Sequence, residues 1–346
     1  MPPRPVRRGR AVSGWVLGVD SGGSGLRAAL ARPAPDGRVT AASTFVSRTP
    51  VRTGVAGIDA GHLWEQLLPA LPGMLERAAR EEDGAQGHAD PPTVAAVCVG
   101  AAGMATLGDD LRARLPRELA GLFGPVRLAL AADAVTGYAG ALGERAGAVV
   151  AAGTGMIALG TDLRVWRRVD GWGHLLGDCG SGAWIGRAGL EAAMRAHDGR
   201  AGGSAALLAA ARERFGDPAS LPGSLYPRPD RPAVLASFAP SVAAAAVAGD
   251  AVATAVLGEA GRQIAETAAA ACPGSGEDAV LALTGGLLNI GAPLLDPLHA
   301  HLDRLLPGHR AVAAVGGPLE GALLVAARLA TDGLRLPADD ALLRVV

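Results

Sequence analysis

Three apolar segments of the chain each end in a glycine-rich turn, and this repetition restricts the possible folds more than any other feature. They span residues 16–30, 148–160 and 279–288. The first two are typical of a β-hairpin with small residues at its tip, and the third of a strand that leads into a helix. Their near-equal spacing predicts two similar halves that face a common cleft.

The glycine tips are suited to binding phosphate. Glycine lets the backbone approach a ligand closely, and successive N–H groups in such a turn form a concave anion site. In the first hairpin the tip is Gly22-Gly23-Ser24, and Asp20 precedes it at the end of a strand. A carboxylate in that position can hold a hydrated Mg²⁺ against the phosphate, so Asp20 is the predicted metal ligand.

The chain contains no lysine, and this excludes several kinds of nucleotide chemistry. A GxxxxGK[ST] loop, the ATP-binding lysine of protein kinases and a Schiff-base mechanism all need that residue. A nucleotide must therefore be held by backbone N–H groups, arginine, hydroxyls and a metal. The formal net charge of −1 gives no field that would attract nucleic acid or an anionic membrane, and neither is expected as a partner.

The remaining composition indicates a two-domain globular protein of the cytoplasm. A chain of 346 residues that is 49% hydrophobic can bury a sizeable core, and its length favours two domains. Three isolated cysteines without a CxxC pattern support neither a zinc nor an iron–sulfur site and suit a reducing compartment. Residues 1–13 are expected to be a disordered basic arm without the apolar core of a signal peptide, and no apolar run is long enough for a membrane span.

Between the glycine tips, strands alternate with helices, which indicates an α/β fold. Helical spacing over 63–80 is interrupted by Pro69 and Pro72. Long helices are predicted over 232–249 and 251–271, and a shorter one over 320–330.

Asp133 is the predicted catalytic base. It follows an apolar strand at 126–132 and begins a helix, at the end of the strand where parallel sheets present their ligands. A carboxylate there can accept a proton from an attacking hydroxyl and orient it. Aspartate is also a preferred helix N-cap, so capping alone would explain the residue, although the two roles do not exclude each other.

Residues 171–186 read GWGHLLGDCGSGAWIG and resemble the GWGxxxGDEGS motif of the N-acetylglucosamine kinase group, which is grouped with the BadF/BadG/BcrA/BcrD ATPases. The resemblance covers nearly the whole chain after residue 14 and extends to the actin-like superfamily of sugar kinases, Hsp70 and actin. It implies a two-lobed actin-like ATPase fold of the ribonuclease H-like kind, with duplicated mixed β-sheets flanked by helices around a central cleft. The lobes would be 14–144, with 330–346 packed on it, and 145–329.

The resemblance also implies cofactors and site residues. ATP and Mg²⁺ would be held in the first lobe by Asp20, Gly22, Gly23 and Ser24, and in the second by Gly153, Thr154 and Gly155. The adenosine would lie against Gly285 and Gly286. The sugar would lie against Asp133, Gly171, Trp172, Gly173 and Asp178. The implied reaction transfers the γ-phosphoryl group to a hydroxyl, expected at C6, of N-acetylglucosamine or a related hexosamine. The family often dimerises, and the apolar helices within 232–271 permit a homodimer without requiring it.

Three departures from the motif leave the substrate open. Kinases of this group carry a sugar-binding asparagine in the loop after the third strand, and residues 49–54 contain none. Met156 and Ile157 stand where polar residues usually follow the second tip, and Cys179 replaces an acidic residue. The alternatives are a glucosamine or N-acetylmuramic acid kinase, the latter with Arg52 facing a lactyl carboxylate, or a nucleotide-binding regulator without kinase activity.

Overall fold

The structure is a computed structural model, and it describes residues 14–23, 25–34, 38–54, 57–83 and 93–346. The predicted arm at 1–13 and the predicted phosphate ligand Ser24 lie outside these residues. The strands, β1 to β13 in chain order, are Trp15–Gly22, Gly25–Pro33, Val39–Ser47, Thr53–Gly54, Gly57–Ile58, Val94–Ala101, Arg127–Ala132, Gly147–Ala152, Met156–Thr161, Trp166–Asp170, Val280–Thr284, Arg310–Val312 and Leu343–Val345. The α-helices, α1 to α13, are Ala60–Leu67, Leu71–Asp83, Met104–Leu107, Asp109–Phe123, Asp133–Leu142, Gly182–His197, Ala205–Phe215, Leu221–Leu225, Arg231–Ala236, Ala239–Val247, Ala251–Ala271, Ala292–Leu305 and Pro318–Ala330.

The chain divides into two compact units, and the first comprises Met1–Arg145 and Ala314–Val346. Its main sheet has the strand order β13-β7-β6-β1-β2-β3. The strands β1, β2 and β3 form an antiparallel meander, while β6 and β7 continue the sheet parallel to β1. The predicted first hairpin is present, and Gly22 pairs with Gly25 across its tip.

The second unit, Ala146–Ala313, repeats this arrangement. Its sheet has the order β10-β9-β8-β11-β12, in which β8, β9 and β10 form an antiparallel meander and β11 and β12 run parallel to β8. Each unit therefore places a glycine-tipped hairpin beside parallel strands that end at the same edge. The predicted α/β class with duplicated mixed sheets is confirmed.

The last helix, α13, belongs to the first unit, whereas the sequence had placed residues up to 329 in the second lobe. It packs against β1 and α5, and small residues allow the close approach. A Cβ atom on Gly18 of β1 would lie 2.8 Å from the backbone nitrogen of Leu323, and one on Gly321 would overlap the carbonyl oxygen of Thr136 in α5. The strand β13 then pairs with β7 of the same unit. The last segment of the first unit therefore comprises α13 and β13 and begins at residue 314, not at 330.

The predicted helix over 232–249 is two helices, α9 and α10, with a turn at Ser237 and Phe238 between them. Pro240 has no backbone N–H and sits at the start of α10, where that loss costs no helical hydrogen bond. The ring of Phe238 is fully buried 5.9 Å from that of Phe215. The interruption predicted at Pro69 is confirmed, because α1 ends at Leu67 and α2 begins at Leu71, whereas Pro72 lies within the first turn of α2.

Within the described residues, no single helix is both long and apolar enough to cross a membrane. The pair Arg231–Val247 and Ala251–Ala271 meets the requirement by length and composition only, and it is bent by 120°. In this structure Leu257, Ile264 and Ala268 of α11 lie in the core of the second unit.

We expect the contact between α5 and α13 to be intolerant of a single added methyl group. A Cβ on Gly140 would overlap the carbonyl oxygen of Gly317, whereas a Cβ on Gly137, in the same helix, would meet nothing within 4 Å. Gly140→Ala should therefore destabilise the protein by about 1–3 kcal/mol, as overpacking does. Gly137→Ala should stabilise it by about 0.5–1 kcal/mol, because alanine loses less backbone entropy on folding. Urea unfolding of both variants checks this, and equal effects would contradict the packing described.

Candidate functional site

Two predicted site residues of the first unit, Asp20 and Asp133, lie at the carboxyl edge of one sheet. In the register of the parallel strands, Ser21 pairs with Ala101 and Ala101 with Ala132. Asp20 therefore precedes this row by one residue, and Asp133 follows it by one. Because β6 is the only strand between β1 and β7, the two backbones are roughly 10 Å apart.

The Asp20 carboxylate is buried, with 3% of the residue exposed, and it is electrostatically strained. Burial raises the pKa of Asp20 above its usual range, and the Arg27 guanidinium, 2.8 Å from Oδ2, opposes the rise. The charges of Asp133 and Glu320 raise it further. Asp20 thus lies within electrostatic range of two further carboxylates of the first unit.

Glu320 was not identified from the sequence. It lies in the first turn of α13, and its Oε2 accepts a hydrogen bond from the Gly317 N–H at 2.9 Å. The Gly-Gly-Pro-Leu-Glu segment that begins α13 has the proline and glutamate of a helix start, which would have predicted the cap. Nothing in that pattern indicates which sheet the helix packs on, so the proximity to Asp20 could not be predicted.

The surroundings of Asp20 fit a hydrated divalent cation. Its Oδ2 is buried and is paired with the Arg27 guanidinium at 2.8 Å, and a carboxylate can accept further ligands beside one such partner. A cation would also relieve the repulsion among the three carboxylates. Within the described residues no group of three or more His, Cys, Asp or Glu side chains is placed to hold a metal. Mg²⁺ commonly binds through one or two carboxylates and completes its shell with water and phosphate oxygens, so Asp20 is a suitable ligand.

Asp133 is the first residue of α5 and Ala132 occupies the N-cap position. Its Oδ1 accepts a hydrogen bond from the N–H of Ala134 at 2.8 Å, and the residue is half-buried. The N-cap role predicted as the alternative is therefore wrong, because Asp133 lies one residue inside the helix and its side chain accepts the N–H of the next residue. An anionic carboxylate is also favoured by the helix N-terminus at which it sits.

Packing does not require glycine at positions 22 and 23 of the first tip. A Cβ on Gly22 or Gly23 would meet nothing within 4 Å, whereas Gly25 has φ +138° and its Cβ would overlap the carbonyl oxygen of Ser47. Gly25 is therefore the structurally required glycine of the hairpin. Gly22 and Gly23 leave open space in front of their backbone, as a ligand-binding turn requires.

In the second unit, the tip Gly153-Thr154-Gly155 is held against the start of α6. The N–H groups of Gly182 and Ala183 donate to the carbonyls of Gly153 and Thr154 at 2.8 and 3.0 Å. Ser181 caps α6, as predicted, by accepting from the N–H of Trp184. These bonds fix the tip, and a Cβ on Gly153 would point into open space.

The other predicted glycine pair adjoins this tip. Gly285 follows β11, has φ +107°, and approaches Ala152 so closely that a Cβ would overlap its carbonyl oxygen. Gly286 then begins a 3₁₀ turn that ends at Ile290, where the sequence had predicted a helix, and α12 follows. The structure therefore brings Gly285 beside the residue that precedes the second tip.

Asp178 faces the same tip. Its Oδ1 accepts the N–H of Gly173 at 3.0 Å, and a Cβ on Gly155 would lie 2.5 Å from its Oδ2. The N–H of Met156 also donates to this carboxylate. Burial raises the pKa of Asp178, and the hydrogen bond from Gly173 opposes the rise. The carboxylate keeps lone pairs free for a ligand, because a carboxylate can accept about four hydrogen bonds.

Two residues that sequence reasoning missed hold this loop in shape. Asp170 has φ +60°, and its two carboxylate oxygens accept the N–H groups of Asp178 at 2.6 Å and Cys179 at 3.1 Å. Arg168 donates to the carbonyl of Gly171 at 2.5 Å and stacks over the ring of Trp172 at 4.6 Å. Gly171 and Gly173 have φ +75° and +84°, so glycine is required on both sides of that tryptophan.

Trp172 itself is 63% exposed, which agrees with a ligand-facing role and not with core filling. Trp184, in contrast, packs partly buried against the core of the second unit, as predicted. Met156 and Ile157, the two apolar residues that follow the second tip, both pack inward. Met156 is buried in the core, and Ile157 lies under Gly171.

The loop after β3 places Arg52 among acidic side chains. Its Nε lies 3.5 Å from Asp59 and its Nη2 3.6 Å from Glu65, and all three side chains are largely exposed. The N–H of Arg52 donates to Nδ1 of His62 at 2.9 Å. The guanidinium is therefore already partly neutralised, which weakens the expectation that it faces a lactyl carboxylate.

Comparison with known proteins identifies relatives of the whole arrangement. A family model described as the BadF/BadG/BcrA/BcrD ATPase family matches residues 17–326. An N-acetylmuramic acid/N-acetylglucosamine kinase of Clostridium acetobutylicum is 36% identical over 107 residues, which are 30% of this chain and 34% of the relative. The match therefore spans about a third of the length of that curated relative.

Two solved structures are similar over nearly their full length. A putative N-acetylglucosamine kinase from Chromobacterium violaceum is 29% identical, with 90% of this chain and 98% of that chain covered and a TM-score of 0.64. A putative N-acetylglucosamine kinase from Porphyromonas gingivalis is 18% identical, with 91% and 98% covered and a TM-score of 0.61, a likeness of fold alone. The expected actin-like ATPase fold of sugar kinases is confirmed.

We predict that Arg168 fixes the loop around Trp172. Arg168→Ala removes the stacking and the bond to the Gly171 carbonyl, and an exposed cation–π contact is worth about 0.5–1 kcal/mol. Hydrogen exchange of the peptide covering 171–179 should accelerate about two- to fivefold. Arg164→Ala, which alters an exposed arginine in the turn before β10, is the control and should leave that rate unchanged. Equal exchange in the wild type and Arg168→Ala would contradict the bracing role.

We predict that Asp20 costs the metal-free protein stability. A buried acid whose pKa is raised on folding contributes most below the unfolded pKa of 3.8, and the contribution is lost as the pH rises through the folded pKa. Asp20→Asn should therefore melt about 2–4 °C above the wild type at pH 7, a shift that corresponds to about 1 kcal/mol. The difference should shrink as the pH falls towards 4, and Mg²⁺ should raise the melting temperature of the wild type only. A variant that is less stable at pH 7 would contradict the desolvation described.

Proposed function

The chain belongs to the BadF/BadG/BcrA/BcrD ATPase family, and from this premise we propose that it is an ATP-dependent sugar kinase. It transfers the γ-phosphoryl group of ATP to a hydroxyl of an amino sugar, with N-acetylglucosamine or a related hexosamine as acceptor and C6 as the phosphorylated position. The observation that carries this proposal is the position of Asp133 beside Asp20 at one sheet edge. A base for the acceptor hydroxyl and a ligand for the metal are thus available within one unit.

Asp133 acts as the general base. Its carboxylate accepts the proton of the sugar hydroxyl as the hydroxyl oxygen attacks the γ-phosphorus. The new bond joins that oxygen to phosphorus, the bond from phosphorus to the β,γ-bridging oxygen breaks, and ADP leaves. Asp133 is half-buried at the sheet edge, and the Ala134 N–H that donates to its Oδ1 fixes the orientation of the carboxylate.

Asp20 is the residue that would hold Mg²⁺. A bound Mg²⁺ would neutralise phosphate charge, and the buried position of the Asp20 carboxylate at the sheet edge, with its raised pKa, supports this assignment. The backbone N–H groups of Gly22 and Gly23 in the first unit, with Ser24, bind phosphate oxygens. In the second unit Gly153, Thr154 and Gly155 bind phosphate as well, and Gly285 and Gly286 lie against the adenosine.

The sugar is bound by the loop that Asp170 and Arg168 hold in place. Gly171 and Gly173 present backbone groups on either side of the exposed Trp172 indole, and one face of a pyranose can stack on such a ring. Asp178 accepts hydrogen bonds from sugar hydroxyls with the lone pairs that Gly173 and Met156 leave free. A hydrogen-bonding site of this kind discriminates strongly between sugars.

The amino-sugar assignment is supported by the relatives, which carry the names of N-acetylglucosamine and N-acetylmuramic acid kinases. Kinases that act on N-acetylglucosamine are expected to carry a sugar-binding asparagine in the first lobe. The only asparagine in this sequence is Asn289, which belongs to the second unit. We therefore infer that the acceptor is selected mainly by residues of the second unit.

The test is a coupled ADP-release assay with Mg·ATP and a panel of sugars. The panel contains N-acetylglucosamine, glucosamine, N-acetylmuramic acid, N-acetylmannosamine and glucose, with a blank that lacks sugar. We expect turnover that depends on one or more of the amino sugars. Hydrolysis at the same rate in the blank would favour a nucleotide-binding regulator instead.

Asp133→Asn should lower kcat about 10²- to 10⁴-fold, the contribution of general base catalysis, with the melting temperature within a few degrees of the wild type. The matched control is Asp109→Asn, which alters the first residue of α4 in the same unit and should retain full activity. Sugar-dependent turnover that survives in Asp133→Asn would remove this residue from the mechanism.

A further inference from the structure

A cavity of about 420 Å³ lies in the second unit, next to the loop that carries Asp178. Gly177 and Cys179 line it, whereas the Asp178 side chain between them faces Gly155. The loop therefore has two faces, one towards the second glycine tip and the other towards this cavity. Nothing in the proposed phosphoryl transfer uses the second face.

The charges that line the cavity are of one sign. Arg187 on α6 and Arg231 on α9 contribute guanidinium groups, His174 contributes an imidazole, and no aspartate or glutamate of the described residues lines the cavity. Neither arginine forms an ion pair with another described residue. Two unpaired guanidinium groups in one concavity are a site for a carboxylate or another anion, since each offers a fork of N–H donors.

The rest of the lining is apolar. Trp184, Leu225 and Leu235 form much of it, and Leu176 and Tyr226 remain 85% and 71% exposed at its edge. A volume of this size is within the range of small-molecule sites, which combine an apolar lining with a few polar anchors. Large exposed apolar side chains around a concave site also indicate that a ligand covers them.

A second cavity of about 220 Å³ continues along α6 and shares Arg187, Leu225 and Leu235 with the first. It adds Leu190 and Met194, which are apolar. Its one acidic residue, Glu191, is paired with Arg195 at 3.0 Å. An anionic group is therefore favoured in the first cavity and an apolar group in the continuation.

We propose that this cavity binds a small organic acid with an apolar group. Its carboxylate lies on Arg187 and Arg231, and its apolar part packs against Leu225 and Leu235. The acid has two chemical sources, a carboxylate-bearing substituent of the sugar itself or a separate molecule. Because the loop of Asp178 forms one wall, an occupant of either kind contacts the same segment as the sugar site.

The test is calorimetric titration of the full chain without nucleotide. The probes are N-acetylmuramic acid with its neutral counterpart N-acetylglucosamine, and octanoate with its neutral counterpart octanamide. The proteins are the wild type, Arg187→Gln, Arg231→Gln and the control Arg212→Gln, which alters an exposed arginine of α7 outside the cavity. Melting curves establish that each variant is folded.

We expect at least one acid to bind and to lose about 10- to 100-fold in affinity in both cavity variants, the effect of a charge-assisted hydrogen bond. Arg212→Gln and the neutral counterparts should be unaffected. A loss confined to N-acetylmuramic acid assigns the cavity to a sugar substituent, and one confined to octanoate assigns it to a separate acid. The proposal is overturned if neither acid binds, or if each acid and its neutral counterpart lose equally.

This titration and the test of the kinase are independent. Binding is measured without ATP, so a protein that lacks kinase activity can still show the arginine-dependent affinity. Equally, the sugar-dependent ADP release and its dependence on Asp133 hold whether or not the cavity binds an acid.

Discussion

The repulsion between the buried Asp20 carboxylate and the less buried carboxylates of Asp133 and Glu320 is the interaction on which the proposed site depends. Asp20 is almost fully buried, and its single cationic neighbour, Arg27, does not offset the combined effect of burial, Asp133 and Glu320 on its pKa. A fold selected for stability alone would not bury Asp20 near other carboxylates, because a desolvated charge is unfavourable. A divalent cation with its phosphate ligands would make the burial of Asp20 favourable, and carboxylates with strongly perturbed pKa values are common at functional sites.

The second unit contains a loop of unusual backbone conformation, which needs side chains to stabilise it. Asp170, Gly171, Gly173 and Asp178 all adopt positive φ, and such residues keep their conformation only where the surroundings fix it. The carboxylates of Asp170 and Asp178 provide this by accepting backbone N–H groups from within the loop. Trp172 can therefore remain exposed on a loop that these bonds hold in shape, which would reduce the ordering entropy lost on binding the proposed sugar.

Much of the fold could be predicted because it follows from local chemistry. Apolar strands with glycine tips define the hairpins, and Asp250, which caps α11 by accepting the Ala253 N–H, makes the start of that helix predictable. The assignment of α13 could not be predicted in this way. A helical period gives the apolar face of a helix but not the sheet on which that face packs.

The site residues that follow from local sequence were predictable too, whereas those placed by tertiary packing were not. Asp20, Asp133 and the glycine tips follow strands at positions where ligands bind, and the chain order shows this directly. Glu320 comes close to Asp20 only through tertiary packing, and Asp170 supports its loop from a left-handed conformation that a non-glycine residue rarely adopts. The arginines of the cavity likewise come from α6 and α9, which are separated in the sequence by a proline-rich segment.

The measurement that tests the central claim most directly is ³¹P NMR of the protein mixed with Mg·ATP and N-acetylglucosamine. Phosphoryl transfer predicts that a sugar phosphomonoester resonance grows in step with ADP, with little inorganic phosphate. ADP that accumulates together with inorganic phosphate alone, for every amino sugar tried, would contradict the account, because the γ-phosphoryl group would then have passed to water.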